Sequence, residues 1–181
     1  MKRARYLGAD VIALSARAVA RGGCPLPARR SDLRDAFGPS NTAADIDNYC
    51  GSAYTPAQQS RELADPSIDT LVVERDGALV AIAQLQATPP PPEIQARAPI
   101  ELRRFYVLER CHGTGLAQQL MQSVFERATA RGDDLIFLAV WEHNPRALRF
   151  YAKCGLAEFG ARTFMLGTSA QRDVMMSRRI E

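Results

Sequence analysis

From Ile68 to the end, the chain alternates short apolar runs with longer segments whose apolar residues recur every three or four positions. Two apolar runs, Thr70 to Glu74 and Ala78 to Leu85, flank Arg75-Asp76-Gly77, and an Asp-Gly step in that setting predicts a β-hairpin. Thr88 and four consecutive prolines, Pro89 to Pro92, then open a stiff loop that runs to about Pro99. Ile100 to Val107 reads as a strand. In Leu116 to Arg131 the apolar residues Ala117, Leu120, Met121, Val124, Phe125 and Ala128 share one helical face, and Gly132 supplies the stop. Leu135 to Trp141 is apolar without a break, as expected of a central strand covered on both faces. Strand, helix and strand within about forty residues predict a parallel pair joined by a right-handed crossover. A second helix, Pro145 to Cys154, ends at Gly155, and two strands close the chain, about Glu158 to Leu166 and Asp173 to Arg179.

The first third is less regular. Val11 to Ala20 has a helical composition that Arg21-Gly22-Gly23-Cys24-Pro25-Leu26-Pro27 would end. Short helices are expected over Ser31 to Phe37 and Thr42 to Tyr49, and another over Pro56 to Ala64, just before Asp65-Pro66. No repeat or linker divides the sequence, so residues 1–181 are read as one α/β domain.

Composition narrows the function classes. With 46% hydrophobic and 24% charged residues the chain is globular in character. No apolar run is long enough for a membrane span, and Asp10, Arg17 and Arg21 interrupt what would have to be the core of a secretory signal, so a cytoplasmic location with no membrane partner is expected. The formal charge of +3 is dispersed, with no basic block interleaved with aromatics, which argues against a nucleic-acid face. Cys24, Cys50, Cys111 and Cys154 are far apart, and the two histidines, His112 and His143, are too few for a cluster, so no metal is expected.

The chemistry concentrates in two places. Arg110-Cys111-His112-Gly113-Thr114-Gly115-Leu116-Ala117 puts a glycine-rich turn between a strand and a helix. Free backbone N–H groups and the positive end of the helix suit a pyrophosphate there, and the first turn from Leu116 to Gln119 has no acidic side chain to compete. Gly-x-Gly by itself is equally what a tight strand-to-helix turn needs. The second place is Asn144-Pro145-Arg146-Ala147-Leu148-Arg149-Phe150-Tyr151-Ala152-Lys153-Cys154-Gly155-Leu156, directly after the apolar strand.

Together these segments resemble the GNAT acetyltransferase superfamily. Its cofactor loop, Arg/Gln-x-x-Gly-x-Gly/Ala, is matched by Arg110, Gly113 and Gly115. Its later helix, Asn-x-x-Ala-x-x-Phe-Tyr-x-Lys-x-Gly-Phe, is matched at Asn144, Ala147, Phe150, Tyr151, Lys153 and Gly155, with Leu156 in the last position. Within the superfamily, Phe164 to Gly167, Gln171 with Asp173 to Met176, and Val140-Trp141-Glu142 with Asn144 are similar to PaiA-type spermine/spermidine N-acetyltransferases. Thr168-Ser169-Ala170 stands where those relatives tend to be acidic, and Arg103 where they often carry a carboxylate. The match is good from about Leu71 onward and weak over Ser31 to Pro66, and residues 1–30 depart from the family's first strand and helix.

The resemblance implies a GNAT fold: a mixed, mostly antiparallel sheet with helices on both faces and a central parallel pair splayed to hold acetyl-CoA as co-substrate. The backbones of Phe105 and Val107, with Tyr106 between them, would take the pantetheine arm. The turn Arg110, His112, Gly113, Thr114, Gly115, Leu116 and Ala117 would take the pyrophosphate, with Asn144 and Lys153 nearby. Asn144 before Pro145 is also the expected helix N-cap. An amine acceptor needs a base, for which Glu101 stands on the right strand, although a solvated or ion-paired carboxylate there explains the residue as well. Tyr151 can protonate the departing thiolate or simply pack beside Phe150. The expected acceptor is a small primary amine such as a polyamine, with Asp35, Asp45, Asp47, Glu142 and Glu101 as carboxylates for its charge. A protein N-terminus or lysine, or an acetyl-CoA-binding protein without catalysis, are the alternatives, and a homodimer is one option for assembly.

Overall fold

The computed structural model describes residues 4–6, 9–14, 56–76, 78–166 and 169–181, and for the first two of these stretches only the path of the backbone. The elements are β1 (Ala4–Tyr6), β2 (Ala9–Leu14), α1 (Pro56–Ala64), β3 (Ile68–Arg75), β4 (Ala78–Gln86), β5 (Pro99–Val107), α2 (Leu116–Arg131), β6 (Leu135–Trp141), α3 (Pro145–Lys153), β7 (Ala157–Leu166) and β8 (Ser169–Arg179). The strands form one sheet in the order β1-β2-β3-β4-β5-β6-β8-β7. Every neighbouring pair is antiparallel except β5 and β6, which run parallel. This is the mixed α/β architecture that the resemblance implies.

From α1 onward the elements follow the periodicity of the sequence within a residue or two, apart from β8, which starts at Ser169, earlier than the apolar pattern suggests. The segment from Val11 is a correction: Val11 to Leu14 belong to strand β2, paired with β3 from Asp10↔Glu74 to Leu14↔Thr70. Adjacent β-branched Val11 and Ile12 suit a strand, and the edge of β3 offers a full ladder of partners, which outweighs a weak helical propensity. The expected helices at Ser31 to Phe37 and Thr42 to Tyr49 lie outside the described residues, as do residues 15–20.

The main core lies between one face of the sheet and the helices α2 and α3. Leu120, Met121, Val124 and Ala128 of α2 are buried against Leu71, Val73, Ala83, Leu85, Ile100 and Leu102, while Leu148, Phe150 and Tyr151 of α3 pack on the same cluster. Helix α1 covers the other face, where Glu62 makes a buried ion pair with Arg104 of β5.

Strand β5 shows both faces because of a bulge. Gln84 pairs with Arg104 and the next β4 residue, Leu85, with Leu102, so Arg103 is an extra residue. The insertion reverses the alternation midway. Ile100 and Leu102 before it, and Phe105 and Val107 after it, therefore all point into the α2–α3 core, while Arg104 turns to α1.

Candidate active site

β5 and β6 pair only at their starts, from Pro99↔Leu135 to Glu101↔Phe137. Beyond that point each strand keeps its outer partner and loses the other. The phase of the ladders tells which backbone groups face the gap. Leu108 N–H donates to Val80 O at 3.0 Å, so Tyr106 is hydrogen-bonded to Ile82, while Phe105 and Val107 direct their N–H and C=O groups away from β4. On the other wall Glu142 N–H donates to Arg172 O at 3.1 Å, which by the same logic turns Ala139 and Trp141 toward β5. The result is a wedge between the two strands, and at its mouth Trp141 O accepts from Asn144 N–H at 2.9 Å. Of the residues expected at this wall, Tyr106 alone turns its backbone groups to β4.

At the open end the chain makes a 3-10 turn, Glu109 to Cys111, and then the glycine turn. Gly113 and Gly115 have φ of +75° and +83°, and a Cβ built on either would meet nothing within 4 Å. Glycine is therefore required by the backbone conformation, and it leaves clear space in front of the turn. Thr114 Oγ1 donates to Cys111 O at 2.7 Å and holds the turn in shape. Helix α2 begins at Gly115 with no side-chain cap and no acidic residue in its first turn, so its first N–H groups and the positive end of its dipole face the same space.

Arg110 and His112 are both exposed beside this turn. His112 Nε2 lies 3.0 Å from Val107 O, and Arg146 Nη1 lies 2.8 Å from His112 Nδ1. Arginine only donates, so Nδ1 must accept and Nε2 carries the proton to Val107 O. Arg146 was not singled out by sequence. It is one of several arginines in its helix, and only the fold brings it across to the turn.

Helix α3 starts as its sequence requires. Asn144 Oδ1 accepts from Ala147 N–H at 3.0 Å and Pro145 occupies the first turn, a cap of about 1 kcal/mol in typical proteins. Lys153 is exposed in the last turn. Tyr151 points inward, edge-on to Phe105 with ring centres 6.2 Å apart and to Phe150 at 5.5 Å. Burial pushes its phenol well above the usual tyrosine range, with smaller contributions from Tyr106 and Cys154, so the group keeps its proton. The thiol of Cys154 is likewise raised by burial, and Cys111 is buried; both are free.

At the closed end of the wedge, Glu101 faces a cavity of about 300 Å³ on the side of the sheet opposite α2, lined in part by Thr88, Pro89, Phe137, Phe159 and Arg162. Thr88 Oγ1 donates to Glu101 Oε2 at 3.0 Å, and Arg162 Nη1 lies 3.6 Å from Glu101 Oε1. Arg162 Nε also lies 3.7 Å from Asp173 Oδ2. Burial pushes the Asp173 carboxyl up, and Arg162 opposes that shift. Thr88, at the head of the proline-rich loop, and Arg162 were missed by sequence reading, since neither lies in a motif. Glu142 sits away from this cavity, ion-paired to Arg172 at 3.1 Å, with His143 beside it. Asp35, Asp45 and Asp47 lie outside the described residues. Among the described residues no group of His, Cys, Asp and Glu could hold a metal ion, and no helix is long and apolar enough to cross a membrane.

Comparison with known proteins agrees with this architecture. The profile of the Acetyltransferase (GNAT) family matches residues 30–156. An uncharacterized N-acetyltransferase of Mycobacterium tuberculosis is 34% identical over 135 residues, covering 75% of this chain and 82% of that protein. One from Lactobacillus delbrueckii subsp. lactis is 26% identical over 151 residues, covering 83% and 87%. Among solved structures, PaiA N-acetyltransferase from Thermoplasma acidophilum in complex with coenzyme A superposes with a TM-score of 0.75 at 16% identity, over 96% of this chain and 99% of that one. A GNAT family acetyltransferase from Elizabethkingia anophelis with acetyl-CoA bound gives 0.60 at 12% identity, over 97% and 100%. At such identities these two structures speak to the fold alone.

Proposed function

Because the chain belongs to the Acetyltransferase (GNAT) family, we propose that it moves an acetyl group from acetyl-CoA to a primary amine on a small molecule. The observation that carries this reading is the divided β5–β6 pair, with an uncapped, glycine-lined helix start at its open end and Glu101 in a cavity at its closed end.

Acetyl-CoA supplies the acyl group as a thioester. The outward N–H and C=O groups of Phe105 and the N–H of Val107, whose C=O is held by His112, receive its pantetheine arm as a strand edge receives an added strand. The N–H groups of Gly113 to Ala117 and the guanidinium of Arg110 receive the pyrophosphate. Asn144 has its Oδ1 engaged as a cap and offers Nδ2, Lys153 adds a positive charge on the same helix, and His112 holds the turn against Val107.

Glu101 accepts the proton that masks the amine. A simple alkylamine has a pKa of about 10.4, so exposing its lone pair at pH 7 costs about 4.6 kcal/mol without such help. The nitrogen–carbon bond forms as the carbon–sulfur bond breaks, and Tyr151 gives its proton to the departing sulfur. Of the two protons lost by the ammonium, one leaves to solvent through Glu101 and the other ends in the free thiol, by way of Tyr151. The small volume and partial enclosure of the cavity favour a small acceptor over a peptide chain, and the similarity to PaiA-type enzymes makes a polyamine such as spermidine one member of the class to test.

Thiol release from acetyl-CoA, measured across small amines, polyamines and peptides, tests the proposal. Turnover with small amines supports it. Turnover confined to peptides would replace it with a protein acetyltransferase, and no turnover with any acceptor would leave only a binding protein.

A further inference from the structure

The cavity beside Glu101 is lined by a cation, Arg162, as well as by the carboxylates of Glu101 and Glu93. Arg162, on β7, stands directly across the ladder from Asp173 on β8. Its guanidinium approaches Glu101 at 3.6 Å and Asp173 at 3.7 Å, both longer than a direct hydrogen bond. Its side chain is 46% exposed. A planar fork of N–H donors is thus anchored between two carboxylates at ion-pair distance while donors remain available to a third.

A polyamine would meet this arrangement badly. Its first ammonium would compete with Arg162 for Glu101, and it brings no anion of its own for the guanidinium, which would be left to Asp173. A molecule carrying an ammonium and a carboxylate on the same carbon would meet it well. The ammonium faces Glu101 and the carboxylate faces Arg162, so each end of the molecule meets an opposite charge while Asp173 keeps its place beside the guanidinium. The rest of the cavity presents Phe137, Phe159, Met175, Pro89 and Pro91 to a side chain, with Thr88 and the carboxylate of Glu93 as its other polar lining, and about 300 Å³ accommodates one amino acid.

We propose that the acceptor is a free α-amino acid, oriented by its carboxylate on Arg162 so that its nitrogen meets Glu101, and that the product is the N-acetyl amino acid. This assignment rests on the acetyl-transfer reading above. Arg162 is here a specificity residue that touches the substrate without taking part in proton transfer.

The test is a thiol-release assay of the full-length protein with the twenty L-α-amino acids, spermidine, and, for the best amino acid, its carboxamide and its decarboxylated amine. The expected result is a kcat/KM for the amino acid roughly tenfold or more above both relatives that lack the carboxylate, and above spermidine. Arg162→Gln should then raise KM for the amino acid by roughly tenfold or more beyond any change it causes with the decarboxylated amine, and Arg162→Lys should restore part of that difference. The substrate series on the unaltered protein stands even if a variant folds poorly. Equal rates with and without the carboxylate, a preference for spermidine, or an equal loss on both substrates in Arg162→Gln would overturn the assignment while leaving acetyl transfer intact. Absence of turnover with every amine would overturn both.

Discussion

The two ends of the β5–β6 pair are built on opposite principles. At the lower end the strands are hydrogen-bonded and pinned from outside. Asp134 accepts from the N–H groups of Arg97 and Ala98 and donates its own N–H to Ala98 O, while Ile180 N–H donates to Asp134 O. Ile100 and Ile136 are fully buried there. At the upper end the same strands lose each other, α2 starts without a cap, and two glycines hold a turn over open space. Helix α2 repeats the contrast along its own length, since its far end is closed at Gly132, whose N–H bonds Ala128 O and Thr129 O. Satisfied backbone groups make a rigid base. Unsatisfied ones, kept in place by that base, are the groups with which a ligand can pair.

The sharpest way to break this contrast is to weaken the base. Ile136→Ala removes a fully buried side chain at the paired end and should destabilise the protein by about 2–5 kcal/mol, read as a lowered midpoint in urea unfolding. The next largest effect concerns chemistry alone. Tyr151→Phe keeps the ring packed on Phe105 and Phe150 and removes only the hydroxyl, so kcat should fall by roughly 100-fold with acetyl-CoA affinity and unfolding midpoint nearly unchanged. Wild-type kcat in that variant would make Tyr151 a packing residue.

At the open end, Gly113→Val should lower CoA affinity in calorimetry by roughly tenfold or more, because a β-branched residue is strained at φ of +75° and its methyls enter the space in front of the turn. Circular dichroism should show the fold retained, and unchanged affinity would place the cofactor elsewhere. The smallest effect should come from the clamp at the base. The backbone N–H groups of Ala98 and then Arg97 hold the Asp134 carboxyl below the usual carboxylate range. A lowered folded-state pKa means that its stabilisation is present above the unfolded value of about 3.9 and disappears as pH falls through the folded value. Asp134→Asn should therefore lower the thermal midpoint slightly at pH 7, and the difference from the unaltered protein should shrink toward pH 2. A constant difference over that range would exclude the charge as its source.

Much of this was legible in one dimension. Hydrophobic spacing determined the elements from Pro56 onward, because a 3.6-residue or 2-residue period survives any choice of topology. Helix ends were equally local: Asn144-Pro145 had to open α3 and Gly132 had to close α2, through backbone groups within one turn of the residue itself. The two motifs carried the family, and with it the glycine turn and Tyr151. Tertiary structure decided what depends on residues distant in sequence. It made Val11 to Leu14 a strand, since the edge of β3 supplied a ladder of partners along all four residues. It placed a bulge at Arg103, which no local signal announces, and so kept both halves of β5 facing the core while turning Arg104 to α1. It drew Thr88, Glu101 and Arg162 into one cavity from a loop and two strands, and laid Arg146 against His112. Those pairings follow from strand order and register, which are set by the packing of the whole sheet and leave no trace in any single segment.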